Sequence, residues 1–65
     1  MNNKVAQLRK EKGYTQEEFA KMIGISRPAL SAIENGTMPK AKNMLKIANL
    51  LNRSIEEIFF NNSSV

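Results

Sequence analysis

Residues 15–36 read TQEEFAKMIGISRPALSAIENG, and this stretch decides the fold. It holds two short helical patterns, each of which begins at a hydroxyl residue that can cap a helix, Thr15 or Ser26. Gly24 follows the first pattern and Gly36 the second, and glycine readily takes the left-handed conformation that ends a helix. Because a single residue separates Gly24 from Ser26, the sequence predicts two short helices joined by a tight turn.

The starts of these two helices carry further local signals. Thr15 and Glu18 have the spacing of a capping box, and Tyr14 and Phe19 flank the cap at the spacing of a hydrophobic staple. Pro28 falls in the first turn of the second helix, where amides have no intrahelical partner and proline is tolerated. Both helix starts are therefore predicted from side chains close by in the chain.

The rest of the chain contains similar helix-capping and helix-ending residues. A first helix is predicted over residues 4–12, capped by Asn2 or Asn3, and a fourth over residues 39–51. No alternation of apolar and polar residues indicates a strand. The predicted fold class is therefore all-α, a compact bundle of five short helices.

Ser54 and Glu57 form a second capping-box pattern, which opens a short fifth helix. We expect one domain over residues 1–60, and a flexible C-terminal tail over residues 61–65 because that segment is polar and terminal.

The composition limits the class of protein. Ten lysines and arginines against six acidic residues give a formal net charge of +4, which favours a polyanionic partner. The chain has no cysteine and no histidine, so disulfides and the commonest metal sites are excluded. No stretch approaches the roughly 20 apolar residues that span a bilayer. We expect no cofactor, no metal, no small-molecule ligand and no membrane partner.

An enzyme is not expected, because the chain lacks a glycine-rich phosphate loop and is too short for a closed pocket. Capping and the helix dipole explain the adjacent glutamates at 17–18 and 56–57 better than acid–base chemistry does.

The predicted turn also has a functional consequence. It is too short for antiparallel packing, so the two helices must cross steeply and form a helix-turn-helix. The outer face of the second helix is then free to enter a major groove. The residues predicted to lie on that face are Arg27, Pro28, Ser31, Ala32 and Asn35.

The sequence resembles the lambda-repressor/Cro family of helix-turn-helix regulators. The resemblance is carried by TQEEFA at 15–20, GISR at 24–27 and LSAIENG at 30–36, and it continues in KIA at 46–48 and SIEEIF at 54–59. It implies a sequence-specific transcriptional regulator, more often a repressor, that binds double-stranded operator DNA in the cytoplasm of a bacterium or as a phage product.

The resemblance also implies roles for individual positions. Gln16 corresponds to a glutamine that binds a DNA phosphate, although it could be an ordinary helix-start residue. Ser26 corresponds to the cap of the recognition helix, which often touches phosphate, and Asn35 to a residue near the backbone. Lys40 and Lys42 correspond to residues that touch phosphate or the minor groove, although a solvated charged face is the alternative.

Arg27 is the leading candidate for reading a base. A bidentate contact with guanine would contribute about 1–3 kcal/mol of discrimination, whereas a phosphate contact would add affinity without sequence information. Ser31 lies one turn further on the same side and could reach a base, a phosphate or only solvent. Pro28 departs from the family, in which glutamine is common, and limits readout there to apolar contact such as a thymine methyl group.

The family further uses a salt bridge between helices 1 and 3, and Arg9 and Glu34 match that pair. It also binds palindromic sites as homodimers, with recognition helices about 34 Å apart. Phe59 and Phe60 are adjacent and cannot both face one core, so we expect an exposed apolar contact at a two-fold interface, with Leu50 nearby. The alternative is that both phenylalanines fold against the helical core.

A different class remains open, since the same fold serves antitoxins and antirepressors whose main partner is another protein. Met22 and Met38 could mark an adaptable protein-contact surface, although methionine is more often packing. Such an interaction module would bind duplex DNA weakly and without sequence preference.

Overall fold

A computed structural model describes residues 3–60 of the chain. The helices in these residues are α1 (Val5–Glu11), α2 (Gln16–Ile23), α3 (Arg27–Glu34), α4 (Ala41–Leu51) and α5 (Ile55–Phe59). No strand occurs between residues 3 and 60, and the all-α prediction is confirmed. Two sequence predictions, the cap at Asn2 and the tail at residues 61–65, concern positions outside the described residues.

The capping box predicted at the start of α2 is present. Thr15 Oγ1 accepts from the Glu18 amide at 3.0 Å, and Glu18 Oε1 accepts from the Thr15 amide at 2.9 Å. Tyr14 and Phe19 stack with their ring centroids 5.7 Å apart, as the predicted staple requires. The two capping bonds satisfy backbone amides at the helix start that have no intrahelical partner.

The second predicted capping box, at the start of α5, is only half formed. Ser54 Oγ accepts from the Glu57 amide at 3.0 Å. The Glu57 carboxylate, however, accepts from Arg53 Nη1 at 3.1 Å instead of reaching back to the cap. The nearby guanidinium competes with the cap amide for the carboxylate, and a charged donor makes the stronger bond.

The starts of two helices differ from the sequence prediction, and the first helix also ends at Glu11 rather than residue 12. The first helix begins at Val5 rather than residue 4, and Asn3 Oδ1 accepts from the Val5 amide at 3.0 Å. The fourth helix begins at Ala41 rather than residue 39, because Lys40 has an extended backbone with ψ of 156°. Lys40 therefore lies at the cap position, and its carbonyl accepts from the amides of Asn43 and Met44.

The core draws buried apolar side chains from every described helix. They are Val5, Leu8, Phe19, Ala20, Ile23, Leu30, Ile33, Ile47, Ala48, Leu51, Ile58 and Phe59. The amide of Lys4 donates to the carbonyl of Ile58 at 3.0 Å, which joins the two ends of the described chain. A small chain can bury only a modest apolar area, so such ties between distant segments matter to its stability.

The turn between α2 and α3 sets the direction of α3. Gly24 has φ of 93°, in the left-handed region that favours glycine, and its amide donates to Ala20 O at 2.8 Å. The Ile25 amide donates to the same carbonyl at 3.0 Å. The chain therefore reverses sharply within two residues, and α3 crosses α2 with one face left open to solvent.

Candidate nucleic-acid interface

The third helix has one buried and one open face. Leu30, Ile33 and Glu34 point into the protein and are buried. The opposite side is exposed at Arg27, Pro28, Ala29 and Asn35, and partly exposed at Ser31 and Ala32. Apart from Arg27 these side chains are small, so the helix backbone can approach another surface closely.

The open face begins at a well-formed helix start. Ser26 Oγ accepts from the Ala29 amide at 3.2 Å, so the cap predicted there is present. Pro28 lies in the first turn, where its missing amide hydrogen costs no intrahelical bond. The Ser26 hydroxyl accepts this bond through its oxygen, so its hydrogen is still available to donate to a phosphate oxygen.

Arg9 and Glu34 form a buried ion pair that joins α1 to the end of α3. Arg9 Nε donates to Glu34 Oε2 at 2.7 Å and Nη2 to Oε1 at 3.3 Å, with side-chain exposures of 8% and 7%. Arg9 Nη1 also donates to the Tyr14 carbonyl at 2.8 Å. The two parallel bonds between guanidinium and carboxylate fix the orientation of α3 against α1.

Gln16 extends this pair to the open face of α3. Its Nε2 donates to Glu34 Oε1 at 2.8 Å, and its Oε1 accepts from Arg27 Nη1 at 3.3 Å. A continuous polar chain therefore runs from Arg9 through Glu34 and Gln16 to Arg27. Gln16 keeps one amide hydrogen, and Arg27 keeps four of its five donors, for a ligand.

The role of Gln16 as a bridge between the ion pair and Arg27 was not predicted from the sequence. Gln16 and Glu34 are 18 residues apart, so no local spacing rule relates them. Their contact depends on how steeply α2 and α3 cross. One sequence signal bears on it: Gln16 begins α2 and Glu34 ends α3, so both lie at the helix ends away from the turn.

The lysines predicted to contact DNA lie beside α3, across an open groove. Lys40 and Lys42 are both exposed, and they line a groove of about 430 Å³ together with Ala32 and Met38. The structure therefore places two cations on one rim of the groove and the open face of α3 on the other. A polyanion lying along α3 would meet both.

The three residues proposed for a dimer contact have different environments. Phe59 is 6% exposed and belongs to the core of its own chain, so of the two phenylalanines it is not the exposed one that was expected to contact a second copy. Phe60 is 56% exposed, and Leu50 is half-buried against the core. Adjacent helical side chains point in different directions, so only one phenylalanine is buried, and Phe60 is the apolar group available at this end.

Comparison with known proteins identifies this arrangement. The sequence model of the helix-turn-helix family matches residues 5–58, which include every described helix apart from the last residue of α5. The chain belongs to the Cro/C1-type helix-turn-helix family. Its fold is that of a DNA-binding domain of transcriptional regulators.

Individual relatives agree with this membership. The chain is 36% identical over 61 residues to the uncharacterized HTH-type transcriptional regulator YgzD of Bacillus subtilis, covering 92% of each protein. It is 45% identical over 56 residues to YazB of the same bacterium, covering 85% of this chain and 81% of that relative.

A solved structure has the same fold. The N-terminal DNA-binding domain of the biofilm regulator SinR from Bacillus subtilis matches with a TM-score of 0.70 and 34% identity, covering 83% of this chain and 81% of that domain. Among the helices that the structure describes, none is long and apolar enough to cross a membrane.

Proposed function

We propose that this helix-turn-helix domain recognises a palindromic operator sequence as a homodimer, with α3 in the major groove, and acts as a repressor. The observation that carries the proposal is the open face of α3, where small side chains surround a single cation, Arg27. Gln16 holds that cation at one end of the face. A regulator of this kind works by binding rather than catalysis, and it works in the cytoplasm, where bacterial DNA lies.

Arg27 is the residue we assign to base recognition. Its contact with Gln16 restricts the guanidinium before DNA arrives, which lowers the entropy lost on binding. Ser31 lies one turn further along α3, on the same side, and adds a hydroxyl donor. Pro28 contributes apolar contact only, because it has no amide hydrogen.

Phosphate contacts supply the remaining affinity in this proposal. Gln16 and Ser26 offer donors at the starts of α2 and α3, where the helix dipoles also favour an anion. Asn35 offers an amide at the far end of α3. Lys40 and Lys42 hold the backbone on the other side of the groove, and they act as point charges without base specificity.

The experiment is selection of binding sites from a random duplex library with the wild type and with Arg27→Ala. We expect a palindromic consensus for the wild type that loses one symmetric position in the variant, because truncation removes about 1–3 kcal/mol of base discrimination. Lys10→Ala is the matched control, since it removes one cation from the exposed side of α1.

Two outcomes would contradict the proposal. If Arg27→Ala and Lys10→Ala both weaken binding without changing the consensus, Arg27 contacts phosphate and not a base. If the wild type enriches no sequence and its binding disappears as salt rises, the charge of the domain acts only as a non-specific electrostatic surface. A protein-interaction module would then be the better assignment, with the exposed Met22 and Met38 as part of its contact surface.

A further inference from the structure

A side chain of α4 binds the end of α2. Lys46 Nζ donates to the carbonyl oxygen of Ile23 at 3.1 Å, although the two residues are 23 positions apart. Ile23 is the last residue of α2 and stands directly before the turn glycine, Gly24. Lys46 lies one helical turn beyond Lys42 on α4. The bond therefore joins the start of the turn to the basic end of α4.

The chemistry at the end of α2 favours this contact. The last carbonyls of a helix lack intrahelical donors, and the residue four positions after Ile23, Arg27, already belongs to α3. The ammonium of Lys46 supplies a donor and also meets the negative end of the α2 dipole. A Cβ built on Gly24 would lie 3.6 Å from Nζ, an ordinary van der Waals contact, so the positive φ of Gly24 rather than lack of space favours glycine beside the ammonium.

Few direct contacts join α4 to α3. α4 packs against α1, α2 and α5. The groove of about 430 Å³ lies between α3 and the start of α4, with Ala29 and Ala32 on one wall and Asn43 on the other. Side chains that line an open groove gain little dispersion energy across it, because facing atoms do not touch.

We propose that Lys46 is a positioning residue for DNA binding, which sets the separation between α3 and the basic residues Lys40 and Lys42. This inference rests on the proposed function, in which α3 and the two lysines contact the same duplex. The lysines gain full attraction only if the phosphate they meet lies at the right distance while α3 is seated in the groove. Fixing that distance before binding increases affinity without adding a contact to DNA.

The test compares three variants for binding to the selected operator duplex at fixed salt. Lys46→Met keeps the apolar stem and removes the donor, Lys46→Arg keeps a cationic donor, and Lys10→Met removes the same charge from the exposed side of α1. We expect Lys46→Met to weaken binding about three- to tenfold, in the range of couplings carried by positioning contacts. Lys46→Arg should recover most of the loss, and Lys10→Met should change binding less than twofold.

A double-mutant cycle with Lys42→Ala separates positioning from direct phosphate contact. If Lys46 positions Lys42, then Lys42→Ala weakens binding less in the Lys46→Met background than in the wild type. Full additivity overturns the proposal. The proposal is also overturned if Lys46→Met lowers the slope of log affinity against log salt by about 0.9, because that is the change expected when one direct phosphate contact is lost.

Amide hydrogen exchange in the free protein tests the tether without DNA. We expect faster exchange at Gly24 and Ile25 in Lys46→Met, and wild-type exchange in Lys46→Arg, because the tether restrains opening of the turn. Unchanged exchange in Lys46→Met overturns the inference. Failure of the wild type to bind any duplex would instead refute the proposed function, while the exchange result would still decide whether Lys46 holds the turn.

Discussion

At the scale of single residues, Glu34 connects the interior of the protein to its open face. Its carboxylate accepts from the buried Arg9 guanidinium and from the Gln16 amide, and Gln16 in turn holds Arg27. A carboxylate that is almost completely removed from water must be paired in this way, because an isolated charge there costs several kcal/mol. Any change at Glu34 therefore affects both the stability of α3 and the placement of Arg27.

Glu34→Ala should be strongly destabilising, because it leaves the Arg9 guanidinium buried without its carboxylate. We expect a loss of about 3–5 kcal/mol in the free energy of unfolding, measured by urea denaturation. The double variant Arg9→Met/Glu34→Leu removes both charges and should be more stable than Glu34→Ala alone. A cost below about 1 kcal/mol for Glu34→Ala would mean that water reaches Arg9 and that the pair is not buried in solution.

At the scale of elements, the helix starts differ in how completely they are capped. The start of α2 has both halves of a capping box, whereas Ser54 at the start of α5 has only its own hydroxyl bond. The difference matters to the interface, because α2 carries Gln16 and ends at the turn that directs α3.

Thr15→Ala should therefore cost more stability than Ser54→Ala. Loss of a cap costs about 0.5–2 kcal/mol, and we expect Thr15→Ala near the upper end and Ser54→Ala near the lower end. The reason is that losing the Thr15 hydroxyl bond also loosens the Thr15 amide, from which the Glu18 carboxylate accepts the second bond of the capping box. Urea denaturation of the two variants measures the difference, and an equal or larger cost for Ser54→Ala would show that the reciprocal bond at Thr15 adds nothing.

At the scale of the whole molecule, the dimensions of the domain are compatible with binding of two copies to one operator. The described chain measures 34 × 22 × 19 Å, so two copies side by side can reach half-sites one DNA turn apart, about 34 Å. In the proposed homodimer, an exposed apolar side chain at the end of α5 supplies the contact between the copies. Phe60 meets that description, because it is 56% exposed and next to the buried Phe59.

Phe60→Asp should weaken dimerisation, since the proposed interface would then place two carboxylates in an apolar contact. We expect a shift toward monomer in sedimentation equilibrium, and a loss of affinity for the palindrome that exceeds the loss for a single half-site. Leu45→Asp is the matched control, because Leu45 is equally exposed but lies on α4. If Leu45→Asp dissociates the dimer and Phe60→Asp does not, the interface lies on α4.

Much of the fold was predictable because its signals are local. The caps at Thr15 and Ser26, the staple of Tyr14 and Phe19, and the turn glycine Gly24 each act on residues within about five positions in the chain. Their chemistry does not depend on what the rest of the protein does. Helix existence, the tight turn and the exposure of Arg27 on the outer face therefore follow from the sequence.

The sequence by itself thus determined an all-α chain with a helix-turn-helix and with Arg27 on the outer face of its second helix. Only the tertiary structure decided which distant side chains meet. Gln16 binds Glu34 across 18 residues, Lys46 binds Ile23 across 23 and Asn3 binds Ile33 across 30. The same holds for the burial of Phe59 rather than Phe60. These outcomes depend on the angles at which whole helices cross, and those angles result from packing of the entire core rather than from any local spacing.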